Sequence, residues 1–200
     1  MNRTIISLSL FLGLASGLGG CTPGPSAPTH YYVLTATPQA DPAAARGAAG
    51  AGPSVELARV ALAEYLNQPN IVTRVQTNEV QRAENDLWAG PLADDITRTV
   101  GENLSLMLPT DHLSVSGSGQ ASSASYTVEV EIVRFDRDAQ NVVHLIAHWA
   151  VTRNDGRKLV AMRRSTFEQS SSGDYAGTVA AMSHALSDLC TEIANAIKRG

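Results

Sequence analysis

Three alternating stretches near the C-terminal end constrain the fold more than any other feature of the chain. Apolar and polar residues alternate through Tyr126–Phe135 and Val142–Arg153, and a third stretch, Lys158–Glu168, follows. Strict alternation is typical of a strand with one buried face. Polar residues at Asp136–Asn141 and the Asn154-Asp155-Gly156 sequence predict tight turns between the strands. The sequence therefore predicts an antiparallel meander whose apolar face needs a cover.

Two amphipathic helices are predicted to supply that cover. The first helix begins in the segment Leu87–Leu92, with Pro91 in its first turn, where the missing N–H costs nothing. Asp94 and Asp95 follow, where the helix dipole favours negative charge. The second helix is predicted to begin at Asp174, a residue suited to capping. Both carry an apolar stripe at helical spacing: Leu92, Ile96, Val100, Leu104 and Met107, then Val179, Met182, Leu186, Leu189, Ile193 and Ile197.

Shorter strands are predicted earlier in the chain. The candidates are His30–Leu34, Val55–Leu62, Ile71–Val75, Gln76–Glu84 with a turn at Asn85-Asp86, and His112–Val115. Strands and helices mixed in this way predict an α/β fold, in which at least two long amphipathic helices pack in layers on a mixed sheet.

The N-terminus has the features of a bacterial signal peptide. One basic residue, Arg3, precedes a short apolar run that ends in Leu18-Gly19-Gly20-Cys21. This ending is similar to a lipobox, in which the Cys thiol receives diacylglycerol, the preceding bond is cut and the new N-terminus is acylated. The alternative is an ordinary signal peptide followed by a chance Cys. No other cofactor is expected.

The expected organisation is a signal peptide at 1–20, a lipidated tether at 21–29 and one domain at 30–200. Acyl chains on Cys21 would fix the mature protein to a membrane. Thr22, rather than Asp, favours the outer membrane and its periplasmic face. Among 200 residues with a net charge of −4 there is no strongly basic composition, so nucleic acid is not an expected partner. Cys190 is expected to be a small buried hydrophobe.

Several segments together resemble one family. These segments are Tyr31-Tyr32-Val33-Leu34, the stretch Leu62–Arg74 with its Tyr65-Leu66-Asn67-Gln68-Pro69 turn, and Trp88-Ala89-Gly90-Pro91-Leu92 followed by Asn103-Leu104. They resemble the PqiC family of ABC-transport auxiliary lipoproteins, which accompany MCE-domain lipid-transport systems. The resemblance implies a fold similar to the N-terminal domain of TolB, an MCE-domain protein as partner, and self-association into a ring.

Tyr65, Trp88 and Arg74 are the candidate partner-binding residues, because aromatic and Arg side chains supply most interface anchors. For Trp88 the alternative is a structural role, in which it holds the start of the first helix against the sheet. No residue is predicted to be catalytic, because the chain lacks a nucleophile elbow and a phosphate-binding loop.

Two arrangements invite a metal interpretation, and neither is favoured. His144 and His148 share a strand face, but no third ligand lies near them in sequence. Asp136 and Asp138 could bind Ca²⁺ together with Asn141, yet the spacing fits turn chemistry better than an EF-hand loop.

The sequence thus predicts a non-enzymatic, lipid-anchored periplasmic subunit that docks an MCE assembly and supports membrane integrity. The alternative is a periplasmic lipid carrier or chaperone with an apolar pocket beneath the helices. A lipoprotein hydrolase is disfavoured by the missing nucleophile motif.

Overall fold

The computed structural model describes residues 27–37, 52–108, 110–116 and 124–200. They form nine strands and two long helices. The strands are β1 (His30–Tyr32), β2 (Val55–Leu57), β3 (Ala61–Leu62), β4 (Asn70–Gln76), β5 (Glu79–Trp88), β6 (Leu113–Val115), β7 (Tyr126–Asp138), β8 (Val142–Arg153) and β9 (Lys158–Ser170). The helices are α1 (Leu92–Met107) and α2 (Tyr175–Arg199). The predicted α/β class, with a mixed sheet and two packed helices, is confirmed.

Strand β7 is the centre of the sheet. On one side it pairs antiparallel with β8, which pairs antiparallel with β9. On its other side it meets three strands in turn, β2 at its start, β3 in its middle and β4 at its end, all of them parallel to it. The sheet therefore divides into two arms beyond β7. One arm is β2–β6, and the other is β4–β5–β1.

Both helices contribute their apolar stripes to one core on one face of this sheet. The predicted stripe residues of both helices are all buried. Helix α2 begins where the Asp174 side chain accepts a hydrogen bond from the backbone N–H of Gly177 at 2.7 Å, as predicted for a capping residue. It ends at Lys198 and Arg199, where the helix dipole favours positive charge.

The stretch Val55–Leu62 is not the single strand that its pattern predicts. It is divided into β2 and β3 by an excursion in which the backbone N–H of Val60 bonds to the Thr97 hydroxyl at 3.2 Å. Val60 is buried there, so the chain leaves β7 to fill the core next to α1 and then returns.

The predicted turn at Asn85-Asp86 is wrong, because β5 continues through it to Trp88 and α1 begins only at Leu92. The Asp86 carboxylate accepts a hydrogen bond from the Tyr32 hydroxyl of β1 at 2.8 Å, which satisfies it within a strand. The predicted turn at Asp136–Asn141 is also too long. Strand β7 extends to Asp138, and Asn141 has a φ of 62°, in the left-handed region.

Candidate partner-binding surface

The helices leave the other face of the β7–β8–β9 meander uncovered by the described residues. Side chains alternate along each strand, so those between the buried positions point away from the helices. We call this the outer face. In β7 a register shift between Ile132 and Arg134 changes the phase of this alternation, so that Asp136 lies on the same face as Glu131. The register aligns its residues in rows across the three strands, among them Glu129–Ala150–Met162, Glu131–His148–Arg164 and Asp136–His144–Glu168. Met162 is 72% exposed, although it is a large apolar side chain.

An open groove of about 610 Å³ crosses the outer face. Its apolar lining includes Ala58, Ala61, Ala150 and Met162. Charged residues of both signs border it, among them Arg59, Glu129, Glu131 and Arg164. Arg59 pairs with Asp94 of α1, and His148 Nδ1 lies 3.2 Å from Glu131 Oε2. An apolar centre within a charged border is the usual arrangement of a protein–protein interface.

A buried cluster around Asp136 closes one end of the outer face. The Asp136 carboxylate is fully buried and accepts hydrogen bonds from Tyr65 Oη at 2.8 Å, Arg74 Nη2 at 2.9 Å and Arg134 Nε at 2.8 Å. The Arg74 guanidinium also lies over the Tyr65 ring, 5.6 Å from its centroid. One carboxylate thus holds two guanidinium groups and one phenol in fixed positions.

Burial and the contacts with Asp136 raise the pKa values of two side chains in this cluster. Burial, and then the negative charge of Asp136, raises the pKa of Tyr65 to about 12, so the phenol stays neutral and donates. The hydrogen bond to Asp136 raises the pKa of Arg74 above its ordinary value. With two guanidinium groups against one carboxylate, the cluster carries a net positive charge.

Two of the three predicted partner-binding residues are therefore neighbours. Tyr65 and Arg74 meet over Asp136, whereas Trp88 lies apart at the end of β5 and is only 5% exposed. The backbone N–H of Trp88 bonds to the Pro69 carbonyl at 2.7 Å, and its side chain belongs to the core. This burial fits the alternative for Trp88, in which it holds the start of the first helix against the sheet. Partner binding by Tyr65, Arg74 and Trp88 remains a prediction.

His144 and His148 do share the outer face, and each lies against carboxylates. His144 Nε2 is 2.7 Å from Asp138 Oδ2, and its Nδ1 is 3.2 Å from Glu168 Oε1. Burial would raise the pKa of Asp138, but hydrogen bonds from His144 and from the backbone N–H groups of Val142 and Gln140 outweigh it and lower the pKa. The described residues contain no group of three potential ligands arranged for a metal ion.

Residues 32–194 match the family model of the ABC-type transport auxiliary lipoprotein component. The chain belongs to this family. Membership makes it an auxiliary component of ABC-type transport and a membrane-anchored lipoprotein of the cell envelope. The resemblance inferred from the sequence is thereby confirmed at the level of the family. None of the proteins with curated descriptions matches the chain in sequence.

Among the solved structures that resemble this family member, two crystal structures align over most of the chain. A protein described as uncharacterized is 22% identical, has a TM-score of 0.69 and aligns over 86% of this chain and 99% of its own. A DUF330 protein from Xanthomonas campestris is 20% identical, has a TM-score of 0.65 and aligns over 82% of this chain and 92% of its own. At these identities the likeness concerns the fold alone.

The two cysteines of this auxiliary lipoprotein are Cys21 and Cys190. Cys21, the predicted lipidation site, lies outside the described residues. Cys190 is fully buried in α2, as predicted, and burial raises the pKa of its thiol far above the ordinary value. Neither of the two long helices is apolar enough over a sufficient length to cross a membrane.

Proposed function

We propose that this auxiliary lipoprotein anchors an MCE-type lipid-transport system to the outer membrane and docks its MCE-domain protein in the periplasm. The family match over residues 32–194 carries the proposal, because it makes the chain an auxiliary component of a transporter. The resemblance of the segments Leu62–Arg74 and Trp88–Leu92 to the PqiC family supports an MCE-type system as the transporter.

The outer face is the docking surface in this proposal. Met162 and the alanines of the groove provide apolar contact, while Glu129, Glu131 and Arg164 provide charges that select the partner. The Asp136 cluster fixes Tyr65 and Arg74 at the end of this same face. A side chain already held in place loses less conformational entropy on binding, so these two residues are suitable anchors.

The membrane anchor is the lipid on Cys21. Two or more acyl chains give stable attachment, at about 0.8 kcal/mol for each buried methylene. Thr22 after the lipidated Cys favours delivery to the outer membrane, and the domain then lies on its periplasmic side. The Cys21→Ser protein is made with residues 1–20 replaced by a signal that an ordinary signal peptidase removes, because the serine can be neither lipidated nor cut at the lipobox. This variant is expected to leave the membrane fraction, and its retention there would contradict the anchor.

Site-specific photo-crosslinking in cells tests the docking surface. A photoreactive residue replaces Met162 of the outer face, and a matched control replaces Leu106, an exposed leucine (38%) on α1. We expect residue 162 to crosslink to an MCE-domain protein, identified by mass spectrometry, and residue 106 not to do so. Equal yields at both positions, or no MCE protein at either, would contradict the docking surface.

Ring formation is the part of the proposal that follows from the resemblance to PqiC. The purified Cys21→Ser protein is expected to elute as one discrete oligomer, with its mass measured by light scattering. A monomer at all accessible concentrations would remove the ring from the proposal and leave the anchor and the docking surface in place.

A lipid carrier or chaperone is the second candidate, and the open groove favours it. A groove of about 610 Å³ with an apolar centre is large enough for part of an acyl chain. However, the space beneath the helices, where a carrier pocket was predicted, is filled by fully buried side chains such as Ile96, Val100 and Leu186. Lipid that copurifies with Cys21→Ser protein and is lost in Met162→Glu would support the carrier.

A further inference from the structure

Strand β1 forms the free edge of the β4–β5–β1 arm and presents apolar side chains to solvent. Within the described residues it pairs only with β5, through Tyr31↔Leu87 and its neighbours. Tyr31 is 66% exposed and Val33 is 53% exposed. Residues two apart in an extended chain point to the same side, so these two side chains form one small patch. We call it the edge patch.

Two residues of this segment, Tyr32 and Leu34, point toward the domain and fix the direction of the side chains next to them. The Tyr32 hydroxyl bonds to Asp86 at 2.8 Å, and Leu34 is fully buried. The backbone N–H of Leu34 bonds to Asp95 Oδ2 at 2.7 Å, and its carbonyl accepts from Arg98 Nη2 at 2.6 Å. Because Tyr32 and Leu34 are fixed toward the domain, Tyr31 and Val33 are fixed away from it. The Tyr31 hydroxyl makes no hydrogen bond to a described residue.

The position of the edge patch in the chain indicates which surface it contacts. His30 is the ninth residue after Cys21, and an extended chain of that length spans at most about 30 Å. None of the intervening residues, Thr22–Thr29, is charged. A short tether keeps its attachment points at high effective concentration, so β1 remains within about 30 Å of the lipid anchor.

We infer that the edge patch contacts the headgroup region of the bilayer that holds the lipid on Cys21. Tyrosine suits this depth, because its ring enters the apolar boundary while its hydroxyl reaches water and headgroups. Val33 adds apolar area beside it. The contact orients the domain, with β1 toward the membrane and β9 at the opposite edge of the sheet. This inference rests on the lipid anchor of the proposed function.

Single-cysteine fluorescence labelling of the full-length lipoprotein tests the contact. The introduced residues are Tyr31→Cys and Val33→Cys, and the matched control is Met162→Cys on β9. The native Cys190 is fully buried and does not compete for the label, and Cys21 carries lipid. Each labelled protein is reconstituted into vesicles of phosphatidylethanolamine and phosphatidylglycerol that contain acyl-chain nitroxide quenchers, and cosedimentation is measured in parallel.

We expect the labels at residues 31 and 33 to be quenched severalfold more than the label at residue 162. The same variants combined with Cys21→Ser should neither cosediment nor be quenched. Failure of the lipidated protein to cosediment would overturn the anchor and the contact together. Cosedimentation with equal quenching at residues 31, 33 and 162 would overturn the contact alone and leave the edge patch as a surface for a protein partner.

Discussion

The hydroxyl of Tyr65 and the carboxylate of Asp136 are 2.8 Å apart, although 71 residues separate them in the chain. This bond joins the turn after β3 to the end of β7, and Arg74 and Arg134 complete the set of partners around the same carboxylate. The cluster thus joins β4 and the turn after β3 to the central strand β7 through a single buried carboxylate.

Asp136→Asn is expected to destabilise the domain by about 3 kcal/mol, because it leaves two partly buried guanidinium groups without a counter-charge. The matched control is Glu131→Gln, on the same strand and face, whose pairing with His148 is exposed; we expect a loss of about 0.5 kcal/mol or less there. Urea unfolding monitored by circular dichroism measures both. A loss of stability in Asp136→Asn as small as that expected for Glu131→Gln would show that the charge of Asp136 adds no stability.

Tyr65 makes the protein less stable in alkali. Burial and Asp136 raise the pKa of Tyr65 from 10.0 to about 12, so the folded protein holds a proton that the unfolded chain has released. The contribution to stability is complete below the unfolded pKa of about 10 and is lost as the pH rises through the folded value. We expect Tyr65→Phe to lessen this alkaline loss in urea unfolding. Tyr31→Phe, at an exposed position, is expected to leave the alkaline loss of stability unchanged. If Tyr65→Phe retains the full alkaline loss, another group causes it.

Asp138 stabilises the β7–β8 turn and is expected to make the fold sensitive to acid. Its pKa lies below the ordinary value of 3.8, so its contribution is present above that value and is lost as the pH falls through the folded pKa. Asp138→Ala should cost about 2 kcal/mol at neutral pH, since the backbone N–H groups of Gln140 and Val142 lose their acceptor.

Thermal unfolding between about pH 6 and pH 3 measures the acid effect. We expect the melting temperature of Asp138→Ala to vary less over this range than that of the unaltered protein. Asp111→Ala, at an exposed loop position, is the control and should retain the full variation. Parallel acid curves for Asp138→Ala and the unaltered protein would exclude Asp138 as the source.

Cys190 is expected to report global unfolding. It is fully buried and burial raises the pKa of its thiol, so a thiol reagent should react with it only in molecules that open. In the Cys21→Ser protein, the labelling rate should increase with urea in parallel with unfolding. The added thiol of Met162→Cys should react at once in native protein. Equally rapid reaction of Cys190 would mean that α2 separates from the core locally.

The meander and the two helices could be predicted from the sequence because their information is local. The alternation from Val128 to Ile132 and the stripe from Val179 to Ile197 match the buried positions of β7 and α2, whereas a register shift between Ile132 and Arg134 brings Phe135 into the core against the alternation. The repeat of apolar residues in each element shows which of its faces packs against the core, and the buried residues lie on that face. The capping of α2 by Asp174 followed from the same local chemistry.

The parallel pairings and the Asp136 cluster could not be predicted in this way. Asp is typical of turns, which is why the sequence predicts a turn at Asp136, and local preference says nothing about Tyr65 and Arg74, which reach Asp136 from other parts of the chain. Arg134, two residues earlier and therefore on the same strand face, was the one available signal. The split of Val55–Leu62 likewise depends on Thr97, a partner that lies 37 residues from Val60.

The central position of β7 also determines how the domain unfolds. Strands β2, β3, β4 and β8 all form hydrogen bonds with this one strand. If β7 unfolds, both arms of the sheet therefore lose the strand with which they pair. The domain should therefore melt in a single cooperative transition, without a half-folded species that exposes a bare sheet edge to neighbouring lipoproteins in a crowded envelope.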